Sequence, residues 1–312
     1  MKTREKSRIL LLLTLGMFSL VFSLLLSDTP NPTQISLDHD DLQNSPVSGK
    51  IHINNNMAWI DAKIAGIVSG EGIYSDPFLI EDLIIDAGGS GSGILIENSF
   101  VYVRIENCTI YNGDTGISIF NSVNNLILRN NVTNNNFGIA VRFGENFTIL
   151  GNEASNNENY GIYVLSSNEI NVIGNVANLN NYAGIHLEES IGCKVSENTV
   201  NHNNYVFWSM GIALTSSNHS IVSENTLGYN GQSGIILYNS NDNTIQFNII
   251  QQCYIGIYLS YSNNNEISNN YFKGNNADVI DYTEPESFVE LLAIALVITA
   301  IIALPVMLIF KE

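Results

Sequence analysis

Between residues 93 and 282, apolar and polar positions recur in blocks of 22 to 23 residues. The dipeptide Gly-Ile marks each block, at Gly93, Gly116, Gly138, Gly161, Gly184, Gly211, Gly234 and Gly256, with spacings of 23, 22, 23, 23, 27, 23 and 22. Counted from each glycine, position 1 is always Ile and position 3 always aliphatic. Position 6 is Ser in seven of the eight blocks, with Gly144 in the other, and position 11 is Ile or Val in seven. Position 14 is Asn throughout: Asn107, Asn130, Asn152, Asn175, Asn198, Asn225, Asn248 and Asn270. Alternation at positions 1 and 3 predicts a short strand with one face inward, and position 11 predicts a second. The Asn three residues later begins a turn, since Asn tolerates left-handed backbone better than other non-Gly residues. Stacked at one point of successive coils, these amides bond to one another as a ladder. A fixed period of this size predicts a solenoid, with strands of neighbouring coils paired in parallel about 4.8 Å apart. No 3.6-residue periodicity lies between the glycines, which excludes a helical solenoid. The Leu-x-x-Leu-x-Leu signature of leucine-rich repeats is also missing.

Gly-Ile-x-aliphatic, Ser and Ile-x-x-Asn at this spacing resemble the repeat of NosD-type and carbohydrate-binding/sugar-hydrolase-like domains, over residues 93–282. The resemblance implies an all-β right-handed parallel β-helix of about 8–10 coils. Residues 48–92 then form an N-terminal cap and first coil. The segment from Gly70 to Pro77 resembles the opening region of such proteins, with Ile80, Leu83 and Ile85 starting the first coil. Arg104 departs from the pattern, standing at position 11 of the first block. A local register shift that turns Val103 and Ile105 inward resolves it.

Two apolar runs flank the repeat and predict terminal hydrophobic helices. Lys2, Arg4, Lys6 and Arg8 precede the run 9–26, as in a signal peptide or a retained signal anchor. A linker over 27–47 follows. After a second linker, 283–290, the run 291–310 has about the length of a membrane-spanning helix. Pro305 is tolerated there, and Lys311 beyond it fits a cytoplasmic end. The expected arrangement is a membrane-anchored protein whose β-helix stands on the extracellular or periplasmic side.

Composition narrows the partners. The net charge is −18 with only 13% of residues charged, so the acidity reflects a shortage of bases. Nucleic acid is excluded, because phosphate binding needs clustered Lys and Arg. Polarity comes instead from 45 Asn residues. Residues 27–290 hold 28 acids and seven bases, a formal −21, which also disfavours acidic polymers as ligands.

Among function classes, binding is best supported. Outward positions 2 and 4 of the first strand carry Phe120, Arg142, Tyr163, His186, Glu188, Tyr238 and Tyr258. Aromatic rings with polar neighbours stack on sugars, although aromatics also simply suit strands. The 27-residue spacing marks an insertion, Tyr205-Val-Phe207-Trp208, an apolar contact patch on an Asn-rich surface. The expected function is non-catalytic binding of carbohydrate or a surface layer, as in adhesion, with glycans or surface proteins as partners.

The alternatives rest on fewer residues. Glu106 is placed above Arg129, and Glu197 above Glu224, either sharing a proton or a cation such as Ca²⁺ or splayed apart in solvent. Glycoside hydrolysis requires two facing carboxylates, and lyases on this fold typically use Ca²⁺ carboxylate clusters with a basic residue. Arg142 has no Asp cluster beside it, so no catalytic residue is assigned. The NosD resemblance implies a role in copper-centre assembly. Its ligands would be His, Met or Cys, but Cys108, Cys193 and Cys253 fall on different coils and the histidines on different edges. No cofactor is therefore expected. Four sequons begin at Asn107, Asn131, Asn146 and Asn218; as a ladder member, Asn107 is expected to be inaccessible.

Overall fold

A computed structural model describes residues 47–203 and 208–283. The runs 9–26 and 291–310 lie outside these residues, as do the predicted terminal helices. Among the described residues no helix is long and apolar enough to cross a membrane.

The chain winds as an all-β parallel solenoid with three faces. The first face holds ten parallel strands, from Ile51–Ile53 through Ser92–Glu97 and its successors to Ala277–Tyr282. The second holds nine, from Phe78–Glu81 to Glu266–Ser268. The third consists of two four-stranded groups, joined through single bridges at Glu153 and Val176. At about 4.8 Å per coil, the ten strands of the first face rise roughly 40 Å.

Position 1 forms an unbroken inward column from Ile94 to Ile257, every member fully buried, and position 3 a second column from Ile96 to Leu259. Each fully buried aliphatic side chain contributes about 1.5–3 kcal/mol. The glycine before them is required by close approach. A Cβ on Gly161 would meet the Ala154 and Gly184 carbonyl oxygens at 2.5 and 2.6 Å.

All three corners share one local design, a left-handed residue followed by an inward polar one. At position 5 the left-handed residues run from Asn98 (φ 51°) to Tyr261 (φ 51°), each followed by the position-6 residue. Position 13 carries Arg129, Glu197, Glu224, Phe247 and Asn269 in the same conformation, one residue before the ladder Asn. The left-handed strain thus falls on the residue before the ladder Asn. In the ladder, the Asn130 backbone N–H and Nδ2 both donate to Asn152 Oδ1, at 2.9 and 3.0 Å. Nδ2 also donates to the Ile105 carbonyl of the coil before. The same pattern continues through Asn152, Asn175, Asn198, Asn225 and Asn248 to Asn270.

Asn107 stands outside this ladder. Its place is taken by Cys108, whose N–H donates to Asn130 Oδ1 at 2.9 Å. Asn107 is exposed, has φ 52° and donates to the Asp82 side chain, so its sequon is accessible. The cause is the register shift expected at Arg104. Ile105 pairs with Ile127 and Arg104 with Leu126, and both Val103 and Ile105 are buried. The first block therefore carries one extra residue ahead of its second strand, which moves every later position by one.

Further ladders line the other corners, among them a short one through Cys193, Ser220, Asn243 and Asn265. Ser99 and its position-6 counterparts bond N–H to Oγ down one corner, as from Ser167 to Ser190 and Ser190 to Ser217. A second Asn ladder runs at position 19 through Asn135, Asn157, Asn180, Asn203 and Asn230. Helix α1 (Ala58–Ile64) caps the N-terminal end. Its Trp59 is fully buried, stacks on Phe78 at 5.0 Å and donates Nε1–H to Ser99 Oγ at 2.9 Å.

Candidate functional site

Inward positions are committed to packing and the corners to ladders, so ligand chemistry must come from outward positions. On the first face these form three columns along the stack. Position 2 gives Ala140, Tyr163, His186 and Ala213, while position 4 gives Phe120, Arg142, Leu165, Glu188 and Thr215. The third column, immediately before each glycine, gives Phe137, Tyr160, Ala183 and Met210.

Four of the residues expected from the sequence come together here: Arg142, Tyr163, His186 and Glu188. Their centre is a residue the sequence reading passed over, Tyr160. Its ring lies 5.3 Å from Phe137, 5.1 Å from Tyr163, 5.2 Å from Tyr182 and 5.4 Å from His186. Such pairs add about 0.5–1.5 kcal/mol each beyond area burial. The available signal was an aromatic residue directly before Gly-Ile in two consecutive blocks, Phe137 and Tyr160. The small Ala183 in the next block belongs to an outward apolar cluster with Met210 and Ala213, against which Tyr160 and Ile236 pack.

The polar edge is ordered by these rings. The Arg142 guanidinium carbon lies 5.5 Å from the ring centroids of both Phe137 and Tyr163. The Tyr163 hydroxyl donates to Glu188 Oε2 at 2.6 Å. Burial, and next the hydrogen bond to Glu188, hold that phenol above its ordinary range. Burial does the same for Tyr160 and Tyr182, so all three remain neutral donors. His186 is 7% exposed and bonds through Nε2 to Thr215 Oγ1 at 3.0 Å, while its buried Nδ1 has no partner.

Burial pushes His186 down to about 4 from the ordinary 6.5, so the ring is neutral near pH 7. Above pH 6.5 neither folded nor unfolded chain protonates this residue, and it contributes no pH dependence. Below 6.5 the unfolded chain gains a proton that the folded chain refuses until about pH 4. Stability is therefore expected to fall across that window by about 3 kcal/mol through His186 alone. Urea unfolding at pH 7 and pH 4 checks this, since His186→Gln should remove that part of the acid loss. An identical loss in the variant would show that His186 is not its source.

The remaining candidates lie apart. Phe120 pairs in register with Arg142 but turns its ring edge to Phe143, at 5.3 Å. Tyr238 packs edge-on against Tyr261 and Tyr258 against Tyr282, at 5.8 and 5.9 Å. Of the insertion, Trp208 is exposed, and Phe207 lies outside the described residues. Glu106 pairs with both Arg104 and Arg129. Glu189 turns to the corner, where Ser166 Oγ donates to it at 2.9 Å.

Metal ligands do not gather. Among the described residues no group of three or more His, Cys, Asp or Glu is placed to hold an ion. His52 pairs with Glu97 at 2.7 Å, His202 stacks on Tyr229 at 4.8 Å, and His186 is enclosed by tyrosines. Cys108, Cys193 and Cys253 are free and buried, and burial raises all three thiols, Cys108 and Cys193 to about 11. These residues do not fit a copper centre.

Comparison with known proteins gives two family matches. The model for the right-handed β-helix region matches residues 51–211, more than half of the chain. The model for the periplasmic copper-binding protein NosD matches residues 138–288. No curated protein matches the chain. Among solved structures, the A-module of mannuronan C-5 epimerase AlgE4 from Azotobacter vinelandii is similar, with 14% identity and a TM-score of 0.57. That match covers 66% of this chain and 64% of the module, so the chain spans just under two thirds of it. The surface adhesin PfbA of Streptococcus pneumoniae is similar with 12% identity and a TM-score of 0.42, covering 67% of this chain and 73% of the adhesin. At these identities the likeness shows the fold alone.

Proposed function

We propose, for a chain that belongs to the right-handed β-helix family, that the outer surface of the first face is a carbohydrate-binding platform. One observation carries the reading: Phe137, Tyr163 and His186 stack on Tyr160 and Tyr182 meets it edge-on, a contiguous cluster of rings edged by Arg142 and Glu188. A sugar offers an apolar face for ring stacking and hydroxyls for the polar edge, and this surface supplies both. The platform is displayed on the extracellular or periplasmic side, with the terminal apolar runs holding it to the membrane, for adhesion to glycans or a surface layer.

A glycan array probed with the full-length protein, followed by titration of the hits, tests the reading. Tyr160→Ala is expected to weaken binding about 3- to 10-fold, the equivalent of one or two lost ring contacts. An array without hits, or affinities that Tyr160→Ala leaves untouched, would remove the platform.

Polysaccharide cleavage is the competing reading, favoured by the Tyr163–Glu188 hydrogen bond beside a neutral imidazole. Glycoside hydrolysis needs a second carboxylate across from the first, and Glu189 is bonded at the corner instead. Release of shortened products by wild type but not by Glu188→Gln would replace binding with catalysis.

A further inference from the structure

Arg142 is the only Lys or Arg on the described strands of the first face. Of the other six described bases, Lys63 pairs with Glu71, Arg104 and Arg129 share Glu106, and Lys50 donates to the Ser90 carbonyl, while Lys194 on the second face and Lys273 on the third form no ion pair with a described residue. Arg142 has no carboxylate partner among the described residues. Its own column explains why. Its register neighbours are Phe120 and Leu165, both apolar. The nearest carboxylates in the column, Glu97 and Glu188, stand two coils away on either side, about 10 Å. Each is already engaged, Glu97 by His52 and Glu188 by the Tyr163 hydroxyl. The guanidinium is half-buried, with its carbon 5.5 Å from the centroids of two rings, and its N–H groups have no acid partner among the described residues.

A planar guanidinium presents parallel N–H groups that match a carboxylate in bidentate fashion. We propose that Arg142 is the carboxylate-binding residue of the platform, and that the preferred ligands are uronate-bearing saccharides. This inference rests on the carbohydrate-binding reading and specifies its substrate class. It also reverses the expectation drawn from net charge. Charges beyond about 8 Å are largely screened at physiological salt, so the distant acids that make up the balance do not govern a direct contact at Arg142. Glu188 stands two coils further along the same column and accepts a hydrogen from Tyr163, one of the rings that hold Arg142, so both polar groups border one ring surface.

The test compares an oligogalacturonate with the carboxyl-reduced oligosaccharide of the same length, titrated into the full-length protein in detergent at physiological salt. Wild type is expected to prefer the acidic probe about tenfold, as one charge-assisted contact provides. Arg142→Gln should abolish that preference by weakening the acidic probe about tenfold more than the reduced one, and Arg142→Lys should restore part of it. Equal affinity of wild type for the two probes overturns the role of Arg142. So does a preference that survives Arg142→Gln. If binding is equal but falls with Tyr160→Ala, the platform stands and only its acid selectivity fails. If neither probe binds, this inference falls, and the platform falls with it only where the glycan array also has no hits.

Discussion

Replacing Asn175 with alanine is expected to destabilise the solenoid by about 4 kcal/mol, near the upper end for a single substitution. Asn175 is fully buried and joins three coils. Its Oδ1 accepts from both the backbone N–H and Nδ2 of Asn152. Its Nδ2 donates to the Ile149 and Ile173 carbonyls and to Asn198 Oδ1. Alanine strands these groups in the interior, and each unpaired group costs about 1–3 kcal/mol. Asn107→Ala provides the contrast, since Asn107 is exposed and bonds only to a neighbouring side chain, Asp82. Its cost is expected near 1 kcal/mol, the penalty for alanine in left-handed backbone. Urea denaturation followed by far-UV circular dichroism separates the two. Equal losses at both positions would mean that ladder membership does not set the stability.

A second large effect is expected at Gly161. An alanine Cβ would lie 2.5 Å from the Ala154 carbonyl oxygen, 2.6 Å from that of Gly184 and 2.7 Å from Asn180 Nδ2. Two of these atoms are backbone and the third is fixed in the position-19 ladder. Relief requires the first-face strand to lift away from the coil, at a cost of about 3 kcal/mol, the upper end of the usual range for overpacked cores. Gly174 has φ 62° and open space around its missing Cβ. Gly174→Ala should therefore cost only about 1–2 kcal/mol, all of it backbone strain. Thermal unfolding of the two variants checks the order, and a milder effect at Gly161 than at Gly174 would contradict the packing described.

Much of the architecture was legible because the repeat states it eight times. Positions 1, 3 and 11 named the inward columns, and position 14 named the ladder from Asn130 to Asn270. Position 19 also repeats Asn, yet it was passed over; it lies in the turn between faces, where no apolar alternation draws the eye. Asn107 misled for a different reason. Its 14-residue distance from Gly93 matches every other block, but the first block spends its extra residue before the second strand. The block beginning at Gly138 has the same 23-residue length and spends its extra residue after Asn157. Equal lengths thus conceal different registers.

The platform was legible only in part. Arg142, Tyr163, His186 and Glu188 were named from outward positions, as were Phe120, Tyr238 and Tyr258, which pack elsewhere. Nothing in a single block distinguishes these groups. Tyr160 was missed because the position before the glycine belongs to no inward column and carries a different residue type in most blocks.

The sequence by itself determined the solenoid, its inward columns and the ladder from Asn130 to Asn270, because identical environments in successive coils demand identical residues. Only the tertiary structure decided that Arg142 stands between two apolar neighbours, and that Tyr160 touches four rings contributed by other positions and coils. Outward side chains are free of the repeat. Their neighbours lie one coil away, 22 to 27 residues along the chain, and stacking alone brings them together.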